Sequence, residues 1–122
     1  MKLPLDPFPY SRDLRSRPAG PDLPDGNYVY VRDEKGIVIV LPDGLHLHPR
    51  VLGGGREAMY AGDMTVRQGI VIELTNLSGT FQFDEPDGLL DVATQLNGQG
   101  ITVAKAAIKF FPSDGSRPVI IN

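Results

Sequence analysis

The sequence predicts an α+β domain: seven or eight short, mostly antiparallel strands in a curled sheet or partial barrel, with one helix near residues 86–97 packed on it. Three observations carry this. Apolar residues alternate with period two through much of residues 27–83. One later segment changes to helical spacing. Fourteen glycines and eleven prolines, about a fifth of the 122 residues, favour short elements joined by tight turns.

Residues 1–26 hold six of the eleven prolines, Pro4, Pro7, Pro9, Pro18, Pro21 and Pro24. Proline fixes φ and removes an N–H donor, so this stretch reads as an N-terminal arm and residues 27–122 as the single domain. The arm is either a mobile tail or a strap that lays Leu3, Leu5, Phe8 and Tyr10 on the domain or on a partner.

From Asn27 the elements follow in order. Tyr28 and Tyr30 alternate with Val29 and Val31 in a first strand, Asp33-Glu34-Lys35-Gly36 turns, and Ile37–Leu41 returns as a β-branched run. Pro42-Asp43-Gly44 turns again, and Leu45–His48 alternates until Pro49 ends the pairing. Leu52-Gly53-Gly54-Gly55-Arg56 reads as a loop. Two strands follow, Glu57–Tyr60 and Met64–Arg67, separated by Ala61-Gly62-Asp63. Gln68-Gly69 is a hairpin turn, Ile70–Thr75 the next strand, and Thr80–Phe83 another. Pro86 suits a first helical turn, Asp87 adds favourable negative charge, and Leu89, Val92, Ala93 and Leu96 make one apolar face that Gly98 and Gly100 terminate. Ile101–Phe111 reads as a strand, and Val119–Ile121 as the last.

Composition narrows the function classes. With no cysteine the chain has no disulfide framework, thiolate zinc site, iron–sulfur cluster or cysteine nucleophile. The start of the sequence lacks the apolar core of a signal peptide, and no stretch approaches the ~20 apolar residues of a membrane span. The expectation is a cytoplasmic protein without membrane partners, with secretion as an effector left open. A net charge of −3 supplies no excess of cations for phosphates, which argues against nucleic acid. No cofactor is implied.

Several residues are candidates for chemistry. His46 and His48, two apart in a strand, share a face and could make half a metal site with Asp43 or Asp63, although no recognised metal spacing is present. The glycine-rich loop and Arg56 could meet an anion, but a phosphate loop normally opens a helix, and strand-like residues follow here. Ser78 and Thr80 are the hydroxyls in a distinctive setting. A triad of Ser78 with His46 or His48 and Asp63 or Glu73 can be drawn, without a nucleophile elbow to support it. Asp84, Glu85, Asp87 and Asp91 lack the pattern of a calcium loop and read as helix capping. Phe110-Phe111-Pro112 puts one ring inward and one outward, so Phe111 is a candidate interface anchor.

One stretch resembles a known pattern. It runs His48-Pro49-Arg50-Val51-Leu52-Gly53-Gly54-Gly55, Ala61-Gly62-Asp63, Gln68-Gly69-Ile70-Val71 and Asn76-Leu77-Ser78-Gly79-Thr80-Phe81. This is similar to the histidine, small-residue loop, Ala-Gly-acid step and Ser-Gly-His-Tyr-x-Pro block found beside the IQ motif of plant calmodulin-binding proteins and in bacterial toxin-like proteins. It covers about a third of the chain. Thr80 stands where the pattern has its second histidine, Phe81 where it has tyrosine, Phe83 where it has proline, and no IQ motif is present. The resemblance implies a shared β-rich fold and a bacterial effector or conflict setting.

The leading expectation is a non-enzymatic protein-interaction module. It would bind a protein partner through strand edges or through the surface of His46, His48, Arg56, Asp63, Thr80 and Phe111, with a homodimer also open. The enzyme alternative is a toxin-like NAD-using ADP-ribosyltransferase with His48 on the nicotinamide ribose, Arg56 near the phosphates and Glu73 as acid. A third reading is a ligand-binding barrel with an enclosed cavity among Val38, Val40, Ile70, Ile72 and Phe110.

Overall fold

Strands β2 (Gly26–Arg32) and β3 (Val38–Pro42) form the antiparallel hairpin that the alternating tyrosines and valines predict. The computed structural model of the chain describes residues 2, 12–43, 51–53, 56–78 and 83–122. The hairpin turn is closed by Asp33, whose Oδ1 accepts the N–H of Lys35 and of Ile37, while Gly36 takes the left-handed φ of 87°. All four of Tyr28, Val29, Tyr30 and Val31 are buried. Successive strand residues face opposite ways, so the sheet is covered on both sides here.

Eight strands make one open, mixed sheet. The others are β1 (Arg17–Pro18), β4 (Tyr60–Arg67), β5 (Ile70–Thr75), β6 (Thr102–Val103), β7 (Ile108–Phe110) and β8 (Val119–Ile120). The order is β1-β3-β2-β4-β5-β7-β8, and β6 also pairs with β5. Most pairs are antiparallel, whereas β5 runs parallel to both β6 and β7. That departure from an all-antiparallel arrangement follows from helix α1 (Pro86–Gly98), since a helical crossover returns the next strand in the same direction as the one before it. The helix has Pro86 in its first turn and buries Leu89, Val92, Ala93 and Leu96, as the spacing predicts. Gly88 lies flat on the Tyr60 ring, where a Cβ would strike the aromatic carbons. Leu52, read as the first residue of a loop, is instead helical together with Val51, and both are buried.

Three expectations need correction. Residues 60–67 form a single strand instead of two strands around Ala61-Gly62-Asp63. Gly62 is a ladder position: Tyr30 is its cross-strand partner, and the Tyr30 hydroxyl passes over it to donate to the Thr75 carbonyl at 2.7 Å. Small size is what the site requires, and a turn is not. Ile101–Phe111 is broken into β6 and β7, because four residues, Ala104–Ala107, span the stretch opposite only Ile72 and Glu73 of β5. The break is held by Ala104 N–H to Val71 O and Leu74 N–H to Ala107 O, both 2.9 Å, and Ala106 takes a φ of 62°. Finally, Phe83 is irregular. Leu45–His48 and most of Thr80–Phe83 lie outside the described residues.

Part of the proline-rich segment belongs to the sheet. Arg17–Pro18 pairs with β3 at its outer edge, a position where a proline's missing donor faces solvent. Ser16, Ala19 and Leu23 are buried, and the Ser16 hydroxyl donates to the Val51 carbonyl at 2.6 Å. Gln99, just beyond α1, ties this edge to the helix: its amide donates to the carbonyls of Ala19 and Val38, and its Oε1 accepts the Val38 N–H.

A side chain at position 62 has no space between the Thr75 carbonyl and the Tyr30 hydroxyl. Gly62→Ala is therefore expected to lower unfolding free energy by about 3 kcal/mol, seen as a reduced denaturant midpoint. Ala106→Gly should act in the opposite direction, raising it by about 1 kcal/mol through release of a left-handed alanine.

Candidate functional site

Parallel neighbours end on the same side, so β5 and β7 open together onto the residues that follow them, beside the entry to α1. The carboxyl ends of such strands are where α/β sheets form crevices. Here the crevice is a cavity of about 440 Å³. Asn76, Leu77 and Ser78 contribute from the end of β5, Phe83 and Asp84 from the approach to α1, and Phe111, Pro112 and Ser113 from the end of β7, with Lys2 alongside.

Asn76 holds these walls together. Its Nδ2 donates to the carbonyls of Phe83 and Phe111, both at 2.9 Å, and its Oδ1 accepts the Phe111 N–H at 2.7 Å. Only 5% of the residue is exposed, so each bond replaces one that water would otherwise supply. Across the opening the Asp84 carboxylate accepts the Ser113 N–H at 2.9 Å and its hydroxyl at 2.7 Å, and these bonds hold the acid below its usual range. The Phe83 ring stacks on Tyr60 with centroids 4.8 Å apart, and the Lys2 ammonium stands 5.3 Å from the Phe83 ring centre. The Tyr60 hydroxyl donates to the Glu85 carbonyl at 2.8 Å, and burial first, then Glu85 and Asp84, raise its pKa. The result is a cleft with two aromatic walls, Phe83 and Phe111, whose best-defined polar groups are bonded to the chain itself.

A second polar region lies on a face of the sheet. Asp63 and Thr65 share the face of β4 that Glu73, the cross-strand partner of Thr65, presents from β5. Thr65 donates to Asn27 at 2.9 Å, and Lys109 pairs with Glu73 at 3.2 Å. Asp63 is half-buried, and its pKa is raised to about 6 by that burial first and by the charges of Asp43 and Glu73 second.

The candidates from the sequence fall in several places. Ser78 and Phe111 both line the cleft. Asp63 and Glu73 lie on the sheet face just described. Arg56 pairs with Glu34 of the β2–β3 turn at 3.3 Å, at the Arg32–Tyr60 end of the sheet. Glu73 sits opposite Thr65, five residues further along β4 and roughly 17 Å away at strand rise. Arg56 and Glu73, two of the three groups named for the transferase site, therefore stand at separate places on the sheet, and the third, His48, lies outside the described residues. His46, His48 and Thr80 lie outside the described residues. Among the described residues no three acidic or histidine side chains are grouped as metal ligands, and no helix is long and apolar enough to cross a membrane.

The enclosed cavity expected among Val38, Val40, Ile70, Ile72 and Phe110 is not formed. Val38 and Val40 are fully buried, but Ile70 and Ile72 are 39% and 40% exposed. The reason is a bulge: pairing shifts by one residue between Thr65 and Val66, so Ile72 is an extra residue. The shift lets Val71 and Leu74, three apart, both reach the core and leaves the isoleucines outside. The importance of Asn76 and Lys2 was not visible in the sequence. Asn-Leu-Ser-Gly reads as a turn, and only the fold shows that its first residue reaches β7.

Two measurements test this description. Asn76→Ala should cost about 3 kcal/mol of unfolding free energy, since it strands two carbonyls and an N–H in a buried place. For Asp63, a folded pKa of about 6 lies above its ordinary value of 3.8, so the folded state holds the proton more tightly than the unfolded chain. The stabilisation it contributes is full below about pH 4 and is lost as pH rises to about 6. Asp63→Asn should remove that slope from the pH dependence of the denaturant midpoint and make the variant more stable than the parent at pH 7. Comparison of the chain with protein-family models, curated proteins and solved structures finds no match.

Proposed function

We propose that this protein is a non-enzymatic interaction module that takes an extended segment of a protein partner onto the open edge of β8. The observation that carries the reading is the contrast between the two ends of the sheet. At one end, β1 carries a proline and a charged pair, Arg17 with Asp22 at 2.6 Å, features that discourage another strand from pairing. At the other, β8 presents Val119 and Ile120, 50% and 54% exposed, and no described strand pairs with its outer side.

The backbone there is prepared for pairing. Ile121 donates its N–H to the Ile108 carbonyl at 3.1 Å, so Ile120, one residue earlier, turns its N–H and C=O away from β7. Asn122 fixes the strand end, accepting the Ile108 N–H and donating to the Ala104 carbonyl. Strand addition draws its affinity from such main-chain groups and its specificity from flanking side chains. The likeness of residues 48–83 to parts of bacterial toxin-like proteins is what supports an effector or conflict setting. Among the described residues no arrangement favours the transferase reading over this one.

The test is selection from a displayed library of random peptides, followed by binding to the parent and to Ile120→Pro. Proline is tolerated where the N–H faces solvent, so the variant should unfold within about 1 kcal/mol of the parent. Selected peptides should lose about tenfold or more in affinity for it. A chain that pairs with itself should show a concentration-dependent dimer that the same substitution abolishes. Peptide binding indifferent to Ile120→Pro, or neither peptides nor dimer, would remove the proposal.

A further inference from the structure

Beyond the Tyr60 end of β4 lies a further stretch of strand edge, and a residue of the chain itself, Lys2, already pairs with it. Met59 donates its N–H to the Arg32 carbonyl on β2 at 2.8 Å. Ala58 therefore turns its N–H and C=O to the opposite side, the side that β5 occupies further along β4. The β4–β5 ladder stops at Met64 and Leu74, so β5 does not reach Ala58. Lys2 fills the place. Its N–H donates to the Ala58 carbonyl at 2.8 Å and its carbonyl accepts the Ala58 N–H at 2.7 Å, a complete antiparallel bridge.

The side chain is received as well as the backbone. The Lys2 ammonium lies over the Phe83 ring, which also stacks on Tyr60. Asp84, held ionised chiefly by Ser113, also feels the Lys2 charge. Asp84, Glu85 and Asp87 make the entry to α1 acidic, and the whole chain carries a net charge of −3. A strand edge, an aromatic face and carboxylates are together complementary to an extended segment bearing a lysine.

We infer that the Ala58 edge and the cleft beside it are a docking site for an extended lysine-bearing peptide, which Lys2 occupies in cis as an intramolecular competitor. The site is independent of β8. A tethered occupant lowers the apparent affinity of a free one by the fraction of time that it fills the site. Weakening the cis contact should thus expose the site.

The experiment uses the full chain and a labelled, capped peptide of the sequence of residues 1–6, with a second peptide carrying norleucine in place of lysine. Lys2→Glu should bind the lysine peptide about tenfold more tightly than the parent. The norleucine peptide should bind Lys2→Glu several-fold more weakly, and Asp84→Asn added to Lys2→Glu should weaken the lysine peptide similarly. Lys2→Ala, with circular dichroism to confirm folding, serves if the glutamate disturbs the bridge. Equal binding to parent and Lys2 variants, equal binding of the two peptides, or no binding at all overturns the inference. Ile120→Pro should leave this binding unchanged, which separates failure here from failure at β8.

Discussion

The hydroxyl of Tyr30 reaches across Gly62 to the Thr75 carbonyl, and that one hydrogen bond determines where two neighbouring strands part. The Thr75 carbonyl accepts the Tyr30 hydroxyl from β2, and the Thr75 side-chain hydroxyl accepts the N–H of Asp63 and of Leu77, at the end of the ladder. Beyond this point β5 gives way to Asn76, which turns toward β7 and Phe83, while the chain leading into β4 at Tyr60 has a side that β5 does not reach and Lys2 takes up. The cleft and the place of Lys2 both follow from that separation. A buried hydroxyl-to-carbonyl bond suits the task because breaking it would leave two polar groups without water.

The second constraint is that β5 has different neighbours on its two sides. Toward β4 it carries an extra residue, Ile72, and toward the C-terminal strands it faces a partner interrupted by Ala104–Ala107. Both irregularities fall at Ile72–Glu73. A bulge bends and twists its strand, and the parallel pairing of β5 with β7 begins just beyond this one, at Leu74. The helix spans the crossover, and Gly88 lets it approach Tyr60 closely enough for that ring to stack on Phe83. Packing of the helix and construction of the cleft thus share one aromatic side chain.

The edges of the sheet divide along physical lines. β1 is short, proline-bearing and charged, and Gln99 holds it against the helix side. β8 is equally short but apolar and exposed, with Ile120 main-chain groups directed outward. Ion pairs at the surface, such as Lys109 with Glu73, contribute little to stability and serve instead to keep the sheet face polar.

The sequence by itself determined the fold class, the β2–β3 hairpin with its Asp33–Gly36 turn, the Gln68-Gly69 turn and the helix from Pro86. Each is specified by local means: alternation over a few residues, a glycine at positive φ, a proline in a first helical turn. Only the tertiary structure decided that Gly62 continues a strand, that Ile72 is a bulge, that Ile101–Phe111 is two strands, and that Arg17–Pro18 joins the sheet. Those features depend on partners far along the chain. Tyr30 meets Thr75, and Asn76 meets Phe111, and pairings across so many residues leave no trace in a neighbouring pattern. The same reason explains the candidate residues. Ser78 and Phe111 were visible as side chains in unusual settings, but that they share one cleft, walled by Asn76 and bordered by Lys2, is a property of the sheet's register alone.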